Sequence, residues 1–255
     1  MPRFRFLAPA LLALALCGAP AIASAQSFSD TQRGEIETII KNYLLAHPEV
    51  LEEVSAELSK RQTAAEAEKH EAAVVRNAQA IFSSPRGVTV GNKDGDVTFV
   101  EFFDYNCGYC KRAMTDMLEL MKSDSRLKVV LKEFPVLGPG SVEAAQVAVA
   151  VRMQDPAGKK YLDFHQKLLG GKGQADKARA MAAAKDVGVD MAKLEKDLAS
   201  PEVRATLEEN FKLAEDMGMN GTPSYVIGKQ VVIGAVGVDS LKEKIGVARC
   251  GKAIC

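Results

Sequence analysis

Two cysteines separated by two residues, Cys107-Gly108-Tyr109-Cys110, are the part of this 255-residue chain best suited to chemistry. A thiolate is a strong nucleophile, and a second thiol one helical turn away is placed to attack the mixed disulfide that the first one forms. The spacing also lets the two sulfurs close a disulfide. A loop this short gains little from chain entropy, so reactivity explains the pair better than stapling does. Unpaired backbone N–H groups at a helix start favour negative charge, which makes Cys107 the expected nucleophile and Cys110 the resolving thiol. The competing uses of such a pair are an inert bridge and a zinc half-site. Zinc needs two more ligands, and His47, His70 and His165 sit at no ligand spacing.

The other cysteines bear on the compartment. Cys17 lies in an N-terminal segment that reads as a signal peptide over residues 1–25. That segment has a basic start at Arg3 and Arg5, an apolar run from Phe6 to Cys17, and a small-x-small site at Ala23-Ser24-Ala25. A lipoprotein use of Cys17 is rejected, because Leu16 stands where a small residue is required. Cleavage after Ala25 leaves four cysteines, an even number suited to an oxidising compartment such as the periplasm. Basic and acidic residues balance at 33 each, which gives no reason to expect a nucleic-acid partner.

The elements that must position the thiols can be read around them. Residues 26–86 form a helical, mostly polar segment. Ile36, Ile39, Ile40, Tyr43 and Leu44 make a stripe at helical spacing, and Val50, Leu51, Val54 and Leu58 continue it after a break at His47-Pro48. Residues 63–80 are helical by propensity but offer little to bury. Residues 83–87 read as a linker. Val97 to Phe103 is a buried-strand candidate, followed by a helix from about Cys107 to Ser123 with Met114, Met117, Leu118 and Met121 on its inner face. Leu127 to Phe134 is a second strand. Residues 141–220 read as helical, cut near 155, 170, 188 and 200. Ser224–Ile227 and Gln230–Ile233 form a hairpin about Gly228-Lys229, and a last helix covers about 239–248. The fold class is therefore α/β, with residues 87–255 as one domain.

Two stretches in this order carry a family resemblance. Phe99-Val100-Glu101-Phe102-Phe103-Asp104-Tyr105-Asn106 leading into Cys107-Gly108-Tyr109-Cys110 resembles the active-site signature of the DsbA-like thioredoxin-fold family. Gly221-Thr222-Pro223-Ser224-Tyr225 resembles that family's cis-proline loop. The resemblance covers roughly residues 97–247 and implies a thioredoxin fold with the helical stretch as its insertion. It implies that Pro223 faces the cysteines and that Thr222, with Gly108 and Tyr109, meets the substrate backbone. It also implies that Glu101, six residues before Cys107, relays the proton of the deeper cysteine. Lys132 on the next strand is a candidate partner for Glu101.

Family oxidases usually carry Pro-His between the cysteines, whereas this chain has Gly-Tyr. That active site, with Thr before the proline, is similar to DsbC-type isomerases and to the ScsC group, in which it accompanies an N-terminal oligomerisation stalk. The expected activity is a thiol–disulfide oxidoreductase of isomerase or reductase direction. The alternatives are a net dithiol oxidase and, from a different class, a chaperone or copper-binding module. The implied partners are exported proteins with cysteines and a membrane redox protein for recycling, with no small-molecule cofactor. Residues 30–80 are the candidate homo-oligomer interface. Cys250 and Cys255 are expected to form a structural disulfide that pins the tail.

Overall fold

The computed structural model describes residues 28–255, so the signal-peptide reading and Cys17 lie outside the described residues. The chain falls into two units, one ending at Leu58 and one running from Ser59 to Cys255.

In the first unit, α1 (Asp30–Ala46) starts at a capping box. The Ser29 hydroxyl accepts from the Gln32 N–H, and the Ser29 N–H donates to the Gln32 side chain at 2.9 Å. His47 ends α1, and α2 (Glu49–Arg76) begins one residue after Pro48. No residue of α1 is buried. Ile36, Ile39, Ile40, Tyr43, Leu51, Val54 and Leu58 are all exposed, so the apolar stripe has no cover among the described residues of this unit.

The second unit is built on a five-stranded sheet in the order β1-β3-β2-β4-β5. Its strands are β1 (Val88–Gly91), β2 (Val97–Phe103), β3 (Leu127–Glu133), β4 (Ser224–Ile227) and β5 (Gln230–Ile233). β2 and β3 are parallel, and the other three pairings are antiparallel. β2 lies at the centre, and helices cover both its faces, so it reads as a continuous apolar run. On one face Phe99, Phe103, Val129 and Leu131 share a core with α4 (Gly108–Ser123), α5 (Pro139–Gln154), α6 (Lys159–Gly170) and α10 (Val238–Cys250). On the other, Val100, Phe102 and Val130 pack with Ala73 and Val74 of α2, Ile81 of α3 (Ala78–Phe82), and Leu213 and Met217 at the end of α9 (Pro201–Asp216). The last turn of α2 therefore buries apolar surface, where composition suggested there was little to bury.

The insertion is completed by α7 (Lys177–Asp186) and α8 (Met191–Leu198). Asp176, Asp190 and Ser200 cap α7, α8 and α9 through their side chains, which is why the helical stretch breaks where it does. Gly138 enters α5 at φ +109°, a conformation that side chains rarely adopt. The residues expected to link the two parts are clamped to α9. Ser84 donates to Glu209, and Arg86 pairs with Glu202 at 3.2 Å and Glu209 at 3.0 Å.

Candidate active site

The cysteine pair is placed by what precedes it. At the end of β2 the buried Asp104 accepts from the backbone N–H groups of Asn106 at 2.7 Å, Val136 at 2.8 Å and Leu137 at 2.9 Å. Asn106 donates to the Ser141 hydroxyl and the Ala175 carbonyl, both at 2.9 Å, and accepts from the Ala175 N–H at 2.6 Å. The turn before Cys107 is thus tied both to the loop after β3 and to the insertion. Sequence reasoning missed both residues, since their partners lie 32 to 69 positions away.

Cys107 is the N-cap of α4. Its sulfur accepts from the Cys110 N–H at 3.2 Å, and its thiol donates to the Thr222 carbonyl, also at 3.2 Å. The Thr222–Pro223 peptide is cis, and the Thr222 carbonyl just before it is the group that lies against Cys107. Both thiols are free and buried; Cys107 keeps a sliver of exposure and Cys110 none. Hydrogen bonding from the Cys110 thiol, with further help from the Thr222 side chain and the N–H groups of Cys110 and Tyr109, lowers Cys107 to about 6 against the opposing effect of burial. Burial, with the hydrogen bond to Cys107, pushes Cys110 far upward. The two sulfurs are thus divided into an ionised and a protonated partner. Tyr109 is exposed, with the Arg112 guanidinium 5.7 Å from its ring centre.

Glu101 lies on the same sheet face as the core beneath α4. It is fully buried and raised to about 8 by burial first, then by Cys107 and Asp116. The suggested Lys132 partner is ruled out. In the parallel register Glu101 sits opposite Leu131, so Lys132 points to the other face. There its ammonium lies 3.6 Å from Glu209 and reaches the Asn210 side chain.

A second buried acid was not anticipated. Glu133, at the end of β3, accepts from Tyr105 at 3.4 Å and from Tyr161, and burial raises it to about 8. His165 packs edge-on to Phe103 with ring centres 4.5 Å apart, and burial lowers it to about 3, so it stays neutral. Beside Cys107 opens a cavity of about 420 Å³, lined also by Tyr105, Lys111, Leu137, Leu169 and Gln174. Lys111 donates across its rim to the carbonyls of Gly170 and Gly171. Among the described residues no three of His, Cys, Asp or Glu gather into a set able to hold a metal ion.

Cys250 and Cys255 are joined in a disulfide away from these groups, at the end of α10. The tail folds back over Gly246, where an added Cβ would stand 2.3 Å from the Ala253 carbonyl, so only glycine admits that path.

Comparison with known proteins places this arrangement among relatives. Residues 98–246 match the DSBA-like thioredoxin domain, and residues 32–65 match the copper resistance protein ScsC N-terminal domain. A thioredoxin-like oxidoreductase from Silicibacter pomeroyi is 40% identical, with a TM-score of 0.64 over 67% of this chain and 96% of that one. A linker-deleted variant of Proteus mirabilis ScsC is 28% identical, with a TM-score of 0.65 over 88% of this chain and 98% of that one. Disulfide bond formation protein D of Bacillus subtilis is 27% identical, across 64% of this chain and 77% of its own length. The chain also matches a Na(+)/H(+) antiporter of Salinispora arenicola, of whose length it spans 24%.

Proposed function

This chain belongs to the DSBA-like thioredoxin domain family of thiol–disulfide oxidoreductases, and from that footing we propose that it works on exported proteins in the isomerase or reductase direction, through Cys107 and Cys110. The observation that carries this reading is the split of the two sulfurs at the start of α4 with no histidine between them. At about 6, Cys107 lies nearer the ~7 of thioredoxin than the ~3.5 of the strongly oxidising DsbA. A less stabilised thiolate makes the reduced form less favoured and the disulfide a weaker oxidant.

In this reading the Cys107 thiolate attacks one sulfur of a substrate disulfide, and the other substrate sulfur leaves as a thiolate. The Thr222 backbone, within reach of Cys107, pairs with the substrate strand beside Pro223, while Gly108 and Tyr109 form the outer wall. Two outcomes follow from the mixed disulfide. A substrate thiolate can attack it, which regenerates the Cys107 thiolate and completes an isomerisation. Alternatively Cys110 gives its proton to Glu101 and attacks the Cys107 sulfur. The substrate thiolate then leaves and takes up a proton, the substrate has gained two electrons, and a membrane redox partner must return two electrons to the enzyme. Glu101 suits the relay because burial keeps its affinity for a proton near neutral pH.

The exposed stripe from Ile36 to Leu58 supports a self-association surface, since buried apolar area is what such a row lacks among the described residues of its unit. Periplasmic action is part of the same proposal and rests on the leader-like residues 1–25. Among the described residues no helix is long and apolar enough to cross a membrane.

Equilibration of Cys107/Cys110 against glutathione tests the direction. The expected potential falls between those of protein disulfide isomerase and thioredoxin, about −180 to −270 mV, with recovery of activity from scrambled ribonuclease. A potential near about −120 mV, without isomerase activity, makes the protein a net oxidase.

A further inference from the structure

Glu101 and Tyr225 are directly opposite one another in the antiparallel pairing of β2 with β4. Directly opposed residues point to the same face of a sheet with Cβ atoms about 5 Å apart. Both are buried, at 1% exposure each. Both also hold a polar atom that finds no partner among the described residues: Oε2 of the carboxyl and the phenolic oxygen. A buried polar atom left alone costs about 1–3 kcal/mol, so two such atoms on neighbouring strands invite a common explanation. The ring itself is well seated, with its centre 5.2 Å from that of Phe99, and packing alone would be served as well by phenylalanine.

We propose that the Tyr225 hydroxyl is a positioning residue for the thiol chemistry: it donates to the Glu101 carboxylate through one buried water and holds it ready to receive the Cys110 proton. The step balances. As Cys110 attacks the mixed disulfide, the S–H bond breaks, the proton passes to Glu101, the Cys107–substrate bond breaks and the substrate thiolate leaves. Tyr225 keeps its own proton throughout, since burial and then the charge of Glu101 raise it well above the ordinary phenol range. The charged or titratable influences on this pair are Cys107, Cys110 and the half-buried Asp116 of α4. The neighbouring strand β3 brings Leu131 to the same core, and α10 brings Leu241 and Ile245.

This inference rests on the proposed relay, and the test separates the two. The mixed disulfide is formed with a single-cysteine peptide, and the rate of its resolution by Cys110 is followed against pH in the full chain. A donor to the charged form lowers an acid's pKa, so Tyr225→Phe raises that of Glu101. The expected result is a resolution profile displaced upward by about one pH unit, about tenfold slower resolution below neutral pH, and a rate of Cys107 alkylation within about twofold of the parent. The ¹³C carboxyl titration of Glu101 moves with it. An unmoved profile and an unmoved carboxyl titration overturn the proposal. If Tyr225→Phe does not fold, a fluorinated tyrosine at position 225, a stronger donor, is expected to displace the profile downward, and an unmoved profile there is equally fatal. Glu101→Gln is the control. If it leaves resolution unchanged, the relay fails; if it slows resolution while both changes at Tyr225 are silent, only the present inference fails.

Discussion

The chain carries two close pairs of cysteines at opposite ends of helices. Cys107 and Cys110 open α4 as buried, free thiols, whereas Cys250 closes α10 and Cys255 follows it, both exposed and bonded to each other. Exposure alone would name the second pair as the reactive one. The helix ends argue the other way. At the start of α4, free N–H groups and the neighbouring thiol stabilise a thiolate, while at the end of α10 the nearest free groups are carbonyls, and the Cys255 sulfur lies 3.2 Å from the Gly246 oxygen. A thiol's usefulness in exchange is thus set by the charge its surroundings accept, and access comes second.

The strongest way to break this contrast is by substitution. Cys107→Ser is expected to lower insulin reduction by at least about 10³-fold, whereas the double change Cys250→Ser/Cys255→Ser keeps it within about twofold of the parent. Comparable losses from both would erase the distinction.

Next in size is a linkage effect. The pKa of Cys107 is depressed in the folded reduced protein, so the stability it contributes is fully present above the ordinary thiol value, about 8.5. It is lost as pH falls through about 6. The unfolding free energy of the reduced form relative to that of the disulfide form should therefore rise between pH 6 and 9, by an amount on the order of 3 kcal/mol, read as a growing difference in melting temperature. Measured with Cys250 and Cys255 replaced, the rise should persist; a flat difference would show that Cys107 is not stabilised as a thiolate.

Removal of the tail disulfide sharpens the other half of the comparison. A loop this small contributes about 2 kcal/mol by the chain-entropy account, so Cys250→Ala/Cys255→Ala should melt a few degrees lower. A fall of more than about 10 °C would give the tail a larger structural part than pinning itself to α10.

The smallest expected difference is in alkylation of the fully reduced protein at pH 6.5. A thiol at about 6 is mostly ionised there, whereas an ordinary one is about 1% ionised. The lower nucleophilicity of the more acidic sulfur takes back about tenfold, which leaves Cys107 ahead of Cys250 and Cys255 by about fivefold. Peptide mapping of iodoacetamide adducts measures that ratio, and its reversal would mean that access outweighs ionisation after all.

Much of the scaffold could be read along the chain. The run Val97–Phe103 is a strand with those bounds, the hairpin turns at Gly228-Lys229, and the cuts near 155, 170, 188 and 200 fall in the gaps between α5, α6, α7, α8 and α9. β1 escaped notice because four residues ending in glycine make too short a pattern. The mistaken pairing of Glu101 with Lys132 has one cause: neighbouring strands shifted by one residue present opposite faces, and no local pattern records the register.

Local composition thus sufficed for the cysteine motif, its place at a helix start, and the strand leading into it, because each depends on residues a few positions apart. The company those residues keep came from the fold. The Thr222 carbonyl reaches Cys107 across 115 positions, Asn106 is anchored 69 positions away, and Tyr225 meets Glu101 across a strand pairing. Such contacts follow from sheet register and from which face a helix covers, and both are settled only when the whole core packs.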